Sequence, residues 1–560
     1  MKKKLLATFI IASCLTALAA CGEKKEEPVN VDPEEPKEEE AVSDCRVFPI
    51  DFGVTKTVAT KDEAATYLSG VATDNRPVED GIILSPYFNK LTVNDVEVPV
   101  YATRTAFTIH SFAYIDIEKG NVNKLHIVLE GSPIKKSFTK VDVLPLSKGV
   151  KATFEKKVIK ATLDGTGNYS FAFNGKQEEA LTIMVTEKDS PNNYLTGEIT
   201  RTIQEIEPGD YYGENNLSLE ETNKVYFFKK GNYQIGRIDI PDKSILYFEE
   251  GAYLKLYPDS THPIYSNKVD DIGISGHGLI DFSACNGSQL GSTKDDRAGK
   301  SGLSFNYSNK LSINGLMLIN AQTWQCCLNC STNIHITNCM FYGYRTYADG
   351  IMLNNCQDAV VEYNFIRTGD DGFETKSTSG DMLTKNVVFQ YNSAWTDKAV
   401  AYGCIYESKN DTSDVHFLHN SVGFANGNWS KHLGCAVIQM GNNPNATMYN
   451  IEFDDMEIYY SVNQAMCNIY IGGSGGMGAG SGTARDIYFK NIRCDFNAGY
   501  MLNLQTYDSD NCFIKKVYMD NIVSNKVQLT AENYKEYCCM DKVVGGYNPG
   551  NLTINGVKCK

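Results

Sequence analysis

Three aspartates in the middle of the chain have the spacing expected of a catalytic carboxylate cluster. Asp349 lies in the segment Tyr-Ala-Asp-Gly, and Asp370 and Asp371 follow 21 and 22 residues later in Gly-Asp-Asp-Gly. Carboxylates that are held close together repel one another, so one can stay protonated as an acid while the others act as bases. A single Asp-Gly pair would indicate only a surface turn, but the repeated pair indicates acid–base chemistry.

A lysine and several aromatic residues accompany the three aspartates. Lys376 follows Asp371 by five residues, and its charge would hold a neighbouring carboxylate in the ionised form. Aromatic side chains offer flat surfaces on which a sugar ring can stack, although core packing explains each of them equally well. The candidates for such a platform are Tyr347, Tyr402, Trp324, Trp395 and Trp429.

Short strand-like segments recur from about residue 201 to residue 560, and they would position these side chains. Each alternates apolar and polar residues and ends in Asn or Gly, as in 310–315, 333–338 and 386–392. The segments begin 23 to 39 residues apart, which is typical of a parallel β-helix and too short for the blades of a β-propeller. Neighbouring turns of such a solenoid lie about 4.8 Å apart, so the three aspartates should converge.

Asparagines close four of these segments at equivalent places. They are Asn338, Asn364, Asn392 and Asn420. Identical side chains at one position of stacked strands can bond along the stack, so we expect these four amides to form a ladder.

Residues 45–200 have a different pattern. Short alternating strands are separated by turns rich in Asn, Gly and Pro, such as 164–168. Regular strands with such turns are typical of an antiparallel β-sandwich. Since no catalytic pattern is found there, we expect an all-β protein in which an accessory sandwich packs on the right-handed parallel β-helix of residues 201–560.

The first 44 residues resemble an export signal and a tether. Residues 1–21 contain three lysines, a short apolar run and small residues directly before Cys21. This arrangement resembles the lipobox of bacterial lipoproteins, in which that cysteine is lipidated and becomes the mature N-terminus. Residues 22–44 are rich in Glu and Pro and predict a disordered acidic tether. We therefore expect a membrane-anchored, extracytoplasmic lipoprotein, in the outer membrane or on the cell surface.

Composition excludes some partners. The chain of 560 residues carries 53 basic and 68 acidic residues, a net charge of −15, and only ten of the basic residues are Arg. This balance argues against a nucleic-acid-binding surface. There are 17 cysteines, but the CxxC at 327–330 has neither a second CxxC nor a nearby His pair, so no zinc site is predicted.

The motifs of the repeat region, taken in order, resemble those of a clan of β-helical glycoside hydrolases. The segment 274–281 comes first, followed by Tyr-Ala-Asp-Gly at 347–350 and by Gly-Asp-Asp with a later Lys-Ser at 369–377. The clan contains the polygalacturonases of family 28 and the dextranases and isopullulanases of family 49. The polygalacturonase motifs Asn-Thr-Asp-Gly and Gly-Asp-Asp, with a Lys at the same offset, correspond here to Asp349, Asp370, Asp371 and Lys376.

This resemblance implies hydrolysis of a polysaccharide with inversion, without a metal or cofactor. Asp370 would protonate the glycosidic oxygen, while Asp349 and Asp371 would deprotonate the attacking water. Polygalacturonases carry a Gly-His-Gly one turn after the Asp pair, whereas the only Gly-His-Gly here, at 276–278, lies far upstream and is interpreted as a turn of an early repeat. Their Arg-Ile-Lys is absent from the sequence. Its negative charge also suits a polyanionic substrate poorly. A sandwich before the helix is the dextranase-like arrangement, so these features favour a neutral α-glucan such as dextran.

Three other functions stay open at this point. A polygalacturonase-like pectin hydrolase would use the same aspartates. A β-helical polysaccharide lyase would need an Arg or Lys base and usually Ca²⁺, and Arg345 and Arg367 flank the aspartates. A non-catalytic surface protein would bind a glycan without releasing reducing ends.

Overall fold

The structure is a computed structural model that describes most of the chain from Cys45 onwards. The described residues are 45–58, 63, 81–106, 108–120, 124–134, 137–257, 264–285, 301–378, 381–426, 434–441, 443–462, 465–473, 480–507, 510–540 and 549–560. The predicted signal 1–21 with Cys21, the predicted tether 22–44 and Trp429 lie outside them. No helix in these ranges is long and apolar enough to cross a membrane.

The N-terminal strands form a β-sandwich. They are β1 (Val47–Pro49), β2 (Ile82–Leu84), β3 (Phe88–Val93), β4 (Val96–Glu97), β5 (Tyr101–Arg104), β6 (Ile109–Ile117), β7 (Lys124–Gly131), β8 (Val141–Leu144), β9 (Ala152–Glu155), β10 (Val158–Asp164), β11 (Gly167–Phe173) and β12 (Lys176–Glu187). One sheet has the order β2-β5-β6-β12-β11-β8 with β1 beside β6, and the other has the order β4-β3-β7-β10-β9. The strand pairs in these two sheets are antiparallel, as expected, except that β12 runs parallel to β6. Alternating residues such as Leu125, Ile127 and Leu129 of β7 fill the core between them, as a period of two predicts.

The remaining strands form the solenoid. Its first half contains β13 (Thr202–Ile206), β14 (Gly209–Tyr211), β15 (Lys224–Phe228), β16 (Gly231–Ile235), β17 (Ile238–Asp239), β18 (Ile245–Phe248), β19 (Ala252–Leu256), β20 (Ile264–Asn267), β21 (Asp270–Gly276), β22 (Leu279–Asp281), β23 (Leu303–Asn306), β24 (Asn309–Asn314), β25 (Met317–Ile319), β26 (Cys326–Asn329), β27 (Thr332–Thr337), β28 (Met340–Tyr342), β29 (Ile351–Asn354) and β30 (Gln357–Glu362). Its second half contains β31 (Phe365–Thr368), β32 (Phe373–Lys376), β33 (Thr384–Gln390), β34 (Ser393–Thr396), β35 (Tyr402–Cys404), β36 (Thr412–Leu418), β37 (Ser421–Asn426), β38 (Gly434–Met440), β39 (Thr447–Val462), β40 (Ala465–Ile471), β41 (Gly482–Cys494), β42 (Tyr500–Thr506), β43 (Cys512–Asp520), β44 (Val523–Ser524), β45 (Val527–Gln528), β46 (Cys538–Cys539), β47 (Leu552–Ile554) and β48 (Val557–Lys558). A short helix, α1 (Tyr534–Tyr537), precedes β46, and single 3₁₀ turns span Leu146–Lys148, Pro191–Tyr194, Gly213–Asn215 and Pro549–Asn551.

Each complete turn of the solenoid contributes one strand to each of three parallel faces. The first face contains β21, β24, β27, β30, β33 and β36, the second contains β22, β25, β28, β31, β34 and β37, and the third contains β17, β20, β23, β26, β29, β32, β35, β38, β40, β42 and β46. Thr332 pairs with Asn309 of the preceding turn and with Gln357 of the next. The all-β class and the right-handed parallel β-helix after a sandwich are therefore confirmed.

The polar residue that opens each repeat has a structural reason. Asn333, Asp358, Asn386 and Asp414 all adopt a left-handed backbone with φ between 53° and 56°. Asn and Asp tolerate this conformation better than other residues with a side chain, because their short polar groups bond to the nearby backbone. The Asn or Asp therefore sets a bend near the beginning of these four strands of the first face, at the second or third residue of each.

The solenoid interior is a continuous column of apolar side chains. Phe389, Phe417, Phe453 and Phe489 stack on one another in successive turns, with ring centroids 4.5 to 5.3 Å apart. The 15 cysteines from Cys45 onwards, all within the described ranges, are buried and form no disulfide, so they serve as small apolar residues.

The sandwich covers the second face of the solenoid. Apolar residues that point outward from this face, including Met317, Tyr342 and Trp395, pack against Phe112 and Tyr114 of β6. Specific bonds lock this interface: the hydroxyl of Tyr114 donates to the carbonyl of Gly315 at 2.7 Å. The sandwich is therefore part of the fold of the solenoid, because it covers the outward side of the second face.

Three of the four predicted ladder asparagines form a ladder. The side-chain amide of Asn364 donates to that of Asn392 at 3.0 Å, and Asn392 donates to Asn420 at 3.3 Å. All three are buried. The prediction for Asn338 is wrong, because Asn338 precedes the ladder position, where Cys339 donates its N–H to Asn364 at 2.9 Å.

Replacing Asn392 with Ala should lower the free energy of unfolding by about 2–4 kcal/mol. The substitution leaves the N–H of Asn364 and the carbonyl of Val361 buried without their partner. A urea titration followed by fluorescence measures the loss. Lys385→Ala, on the exposed side of β33, is the control and should change stability by less than about 0.5 kcal/mol. Equal stability of the two variants would contradict a structural role for the ladder.

Candidate active site

Asp349 and Asp371 occupy equivalent positions in adjacent turns. The N–H of Gly350 donates to the carbonyl of Asp371 at 2.8 Å, and the N–H of Ile351 donates to that of Gly372 at 3.0 Å. A Cβ at Gly350 would lie 2.6 Å from the carbonyl oxygen of Gly372, so the glycine permits the close approach of the two turns. The expected convergence of these aspartates is therefore found, with Asp371 directly beside Asp349.

Asp370 is held next to this pair by the backbone. Its carboxylate accepts hydrogen bonds from the N–H of Tyr347 at 3.2 Å and from the N–H of Asp371 at 3.1 Å. Asp370 and Asp371 are both half-buried, whereas Asp349 is buried. Asp371 accepts a further bond from the N–H of Val400, 3.1 Å away in the next turn. Two carboxylates are thus fixed in direction and still reach the solvent.

A fourth carboxylate, Glu374, belongs to the cluster and was missed in the sequence analysis. Its oxygens lie within 4.8 Å of those of Asp349 and Asp371. Glu374 is completely buried, and neither of its oxygens accepts a hydrogen bond from the described part of the chain. The available signal was the alternation of β32, since Phe373 and Thr375 point into the core and leave Glu374 and Lys376 on the outer side.

Lys376 supplies the positive charge of the cluster. Its ammonium lies 3.5 Å from Glu374, 3.5 Å from Glu407 and 3.9 Å from Asp349. Burial alone would lower the pKa of this ammonium, but the surrounding carboxylates outweigh burial and raise the pKa well above its ordinary value. Lys376 therefore remains charged, and its charge opposes the rise in the pKa values of the three aspartates.

The carboxylates hold protons at a higher pH than exposed ones do. Burial raises the pKa of Asp349 well above its usual range, and the charges of Glu374 and Asp370 add to this shift. Burial raises the pKa of Asp371 in the same way. The pKa of Asp370 is also raised by burial, but the charge of Lys376 and two backbone N–H groups oppose that shift. The cluster can therefore both donate and accept a proton.

The donor set also has the composition of a cation site. Asp349, Asp371 and Glu374 each offer a carboxylate oxygen within 4.8 Å of the others. Hard divalent cations prefer such oxygen ligands. In this arrangement the ammonium of Lys376 already provides a cation, so a metal would have to bind against its repulsion.

The predicted aromatic platforms divide into two groups. Tyr347 and Trp324 are half-buried and lie at the cluster: Tyr347 bonds Asp370 through its backbone, and the residue after Trp324 donates its N–H to the carbonyl of Asp349 at 2.8 Å. They remain candidates for substrate contact.

The predictions for Trp395 and Tyr402 are wrong. Trp395 points outward from the second face, where the sandwich covers it. The ring centroids of Trp395 and Phe424 are 4.7 Å apart. Tyr402 points into the solenoid and stacks on Phe373 at 5.1 Å. Both are almost completely buried, so neither can stack on a sugar.

The two arginines beside the aspartates are also buried. Arg367 pairs with Asp397 at 3.0 Å and contacts His110 of the sandwich at 2.9 Å. Arg345 donates to the carbonyls of Asn320 and Ser283. Neither guanidinium is exposed, so neither is available as the base of a lyase.

Comparison with known proteins supports the fold. No family model and no curated protein matches the chain. Among solved structures, Dex49A from Penicillium minioluteum has a TM-score of 0.54 at 11% identity over 86% of this chain and 96% of its own. An exopolygalacturonase from Thermotoga maritima has a TM-score of 0.44 at 15% identity over 55% of this chain and 85% of its own. A polygalacturonase from Erwinia carotovora has a TM-score of 0.42 at 15% identity over 64% of this chain and 96% of its own.

At these identities the likeness establishes architecture. The alignment with Dex49A extends over most of the chain and places this protein among the right-handed parallel β-helices. The resemblance to the β-helical glycoside hydrolase clan is therefore confirmed at the level of the fold.

Replacing Glu374 with Gln should shift the titration of the aspartates in the cluster to lower pH. Loss of this charge removes one cause of the raised pKa values of Asp349 and Asp371, so both carboxylates lose their protons at lower pH. The measurement is the pH profile of kcat/KM on a polysaccharide that the protein is shown to cleave. Glu407→Gln is the control, because Glu407 contacts Lys376 at the same 3.5 Å but is not among the causes of either shift. A profile that moves equally in both variants would contradict the assignment.

Proposed function

We propose that this protein is an inverting glycoside hydrolase that cleaves a polysaccharide, with a neutral α-glucan such as dextran as the favoured substrate. The observation that carries the proposal is the convergence of Asp349, Asp370 and Asp371 around Lys376 at the edge of the third face. Folding alone gives no reason to collect like charges in this way, whereas glycoside hydrolysis needs a carboxylic acid and a carboxylate base.

In this proposal the reaction is a single displacement. Asp370 donates its proton to the glycosidic oxygen as the bond to the sugar breaks. Asp349 and Asp371 take a proton from the water that attacks the opposite side of the sugar. The short separation of Asp349 and Asp371 concerns two bases, so it says nothing about whether the reaction inverts or retains.

The free protein does not favour Asp370 as the protonated group. The pKa values of Asp349 and Asp371 are raised well above their ordinary range, whereas at Asp370 the charge of Lys376 and two backbone N–H groups oppose the rise in pKa. A substrate bound over the half-buried Asp370 would remove water from it, which raises the pKa of a carboxyl group. The acid role of Asp370 therefore rests on its resemblance to the family motif and on this effect of the substrate.

The side chains on the outer surface of the third face favour a neutral substrate over a charged one. Asn306, Asn329 and Asn354 occupy the position of Lys376 in the three preceding turns. Asn329 donates to Asn306 at 2.8 Å, and Asn354 donates to Asn329 at 2.9 Å. The line that leads to the cluster thus consists of uncharged amides, which suit hydroxyl groups better than carboxylates. The Dex49A likeness, which extends over the sandwich and the solenoid, supports the same choice.

Asp370→Asn should reduce kcat on polymer by at least about 10²-fold, because an unprotonated alkoxide is a poor leaving group. A substrate with an activated leaving group should recover part of the rate, since its departure needs little proton donation. Asp349→Asn and Asp371→Asn are the matched variants, and neither should be rescued in this way. If rescue occurs in Asp349→Asn or Asp371→Asn and not in Asp370→Asn, the acid role belongs to that other aspartate.

A reducing-sugar assay on dextran, pullulan and polygalacturonate tests the substrate class. Dextran or pullulan should be cleaved, and ¹H NMR of the fresh product should show inverted anomers. Cleavage of polygalacturonate alone would favour the pectin hydrolase. Unsaturated products would indicate a lyase, and binding without products from any polymer would indicate a non-catalytic glycan-binding protein.

We also propose that the protein is a bacterial lipoprotein anchored in the membrane through Cys21, with residues 22–44 as its tether. Cys21→Ala should leave the protein soluble or unprocessed, because lipidation needs the thiol. Membrane fractionation followed by immunoblotting measures the change. Unaltered membrane association of the variant would contradict the anchor.

A further inference from the structure

The sandwich carries a basic cleft that the hydrolytic site does not use. Between residues 124 and 160 the sequence contains nine lysines and three acidic residues, although the chain as a whole has a net charge of −15. A local field of this sign in an acidic protein attracts anions.

The structure gathers part of this charge into a cleft of about 590 Å³. Its floor is formed by the outer side of β7, β10 and β9, and one wall is the turn Leu146–Lys148 with the residues that follow it. The side chains that line it and can bind a charged or hydroxylated ligand are Lys124, Lys148, Lys151, Lys160, His126, Thr153 and Thr162. Among the described lining residues only Asp164 is acidic.

The lysines of the cleft are available for a ligand. Lys124, Lys151 and Lys160 are exposed, and none has an ion pair or a hydrogen bond from its ammonium within the described part of the chain. Lys148 lies over the ring of Tyr169 at 3.9 Å. By contrast, Lys376 in the hydrolytic site is surrounded by three carboxylates.

The wall of the cleft is held in place by the solenoid. The backbone N–H groups of Leu146 and Ser147 donate to the carboxylate of Glu457 in β39, the second at 2.9 Å. The other sheet of the sandwich, which contains β6, packs on the second face of the solenoid. The cleft therefore lies on the sheet that faces away from the solenoid, and it shares no residue with the carboxylate cluster.

We propose that this cleft binds an anionic polysaccharide, one that bears carboxylate or sulfate groups. Three unpaired ammonium groups supply the charge, and the threonine hydroxyls and His126 supply hydrogen bonds to sugar hydroxyls. The cleft is concave, so a flexible chain of sugars can enter it, whereas the flat surface of an anionic bilayer contacts only its rim. A second cavity of about 520 Å³ shares Thr153 and Lys160 with the cleft and extends the path at the edge strand β9. A polymer can therefore continue beyond the cleft.

The test compares two triple variants of the full chain with the same change in charge. Lys124→Gln/Lys151→Gln/Lys160→Gln removes the lysines of the cleft. Lys119→Gln/Lys176→Gln/Lys188→Gln removes three exposed lysines elsewhere on the sandwich. The probes are labelled dextran sulfate, polygalacturonate and unsulfated dextran of equal length, with binding followed by fluorescence anisotropy.

The cleft variant should bind dextran sulfate and polygalacturonate at least about tenfold more weakly than the wild type, while the control variant should change by less than about twofold. Added salt should weaken wild-type binding, because it screens exposed charges. Binding of unsulfated dextran should be the same in all three proteins. Equal losses in both triple variants, or no loss in the cleft variant, would overturn the proposal.

Vesicles that contain phosphatidylglycerol form the second arm. Cleft-dependent binding to vesicles, without cleft-dependent binding to the polysaccharides, would assign the surface to a membrane and overturn the proposal. Thermal melting confirms that both variants are folded. The result is independent of the proposed hydrolysis: if the wild type cleaves no glucan but the cleft variant still loses dextran sulfate, the hydrolase proposal fails and this one stands.

Discussion

In-register stacking of parallel turns is the constraint on which the rest of the structure depends. Each residue of the solenoid lies about 4.8 Å from its equivalents in the neighbouring turns, so side chains of one type at one position form a column. The phenylalanines from Phe389 to Phe489 form such a column inside, and the amides of Asn364, Asn392 and Asn420 form another. The same rule brings Asp349 beside Asp371.

The carboxylate cluster is the place where stacking works against stability. Buried carboxylates lose their hydration, and like charges repel, so each group is stable only when it is protonated or paired. A single ammonium, that of Lys376, pairs with three carboxylates at 3.5 to 3.9 Å. The remaining excess of negative charge is accommodated by raised pKa values. Such an arrangement is costly to fold, and this cost supports the proposal that the cluster is a site of chemistry rather than a structural network.

The sequence predicts the periodic parts of this molecule and not the parts that depend on a neighbouring layer. Repeat length and alternation indicate a β-helix, and the spacing of Asp349 from Asp371 already gives their contact. Alternation along a strand does not show which outward side chains another domain covers, so the sequence leaves Trp395 among the candidate platforms although the sandwich buries it. It also leaves a shift of one residue undetected, which is why Asn338 was placed in the ladder instead of Cys339. Glu374 could have been predicted, because inward and outward side chains alternate regularly along β32.

Because each turn of the solenoid is a separate three-strand unit, the number of turns can vary around the carboxylate cluster. The strand that carries Glu374 and Lys376 is the sixth of the eleven described strands in its sheet, so the sheet extends by five strands on each side of the carboxylates. At about 4.8 Å per strand this is roughly 24 Å in either direction. Because a turn contacts only the turn before it and the turn after it, whole turns can be gained or lost at either end without displacing the acids. The length of this sheet and the geometry of the carboxylate cluster are thus separate properties of the scaffold. Evolution or design can change the length while preserving the geometry.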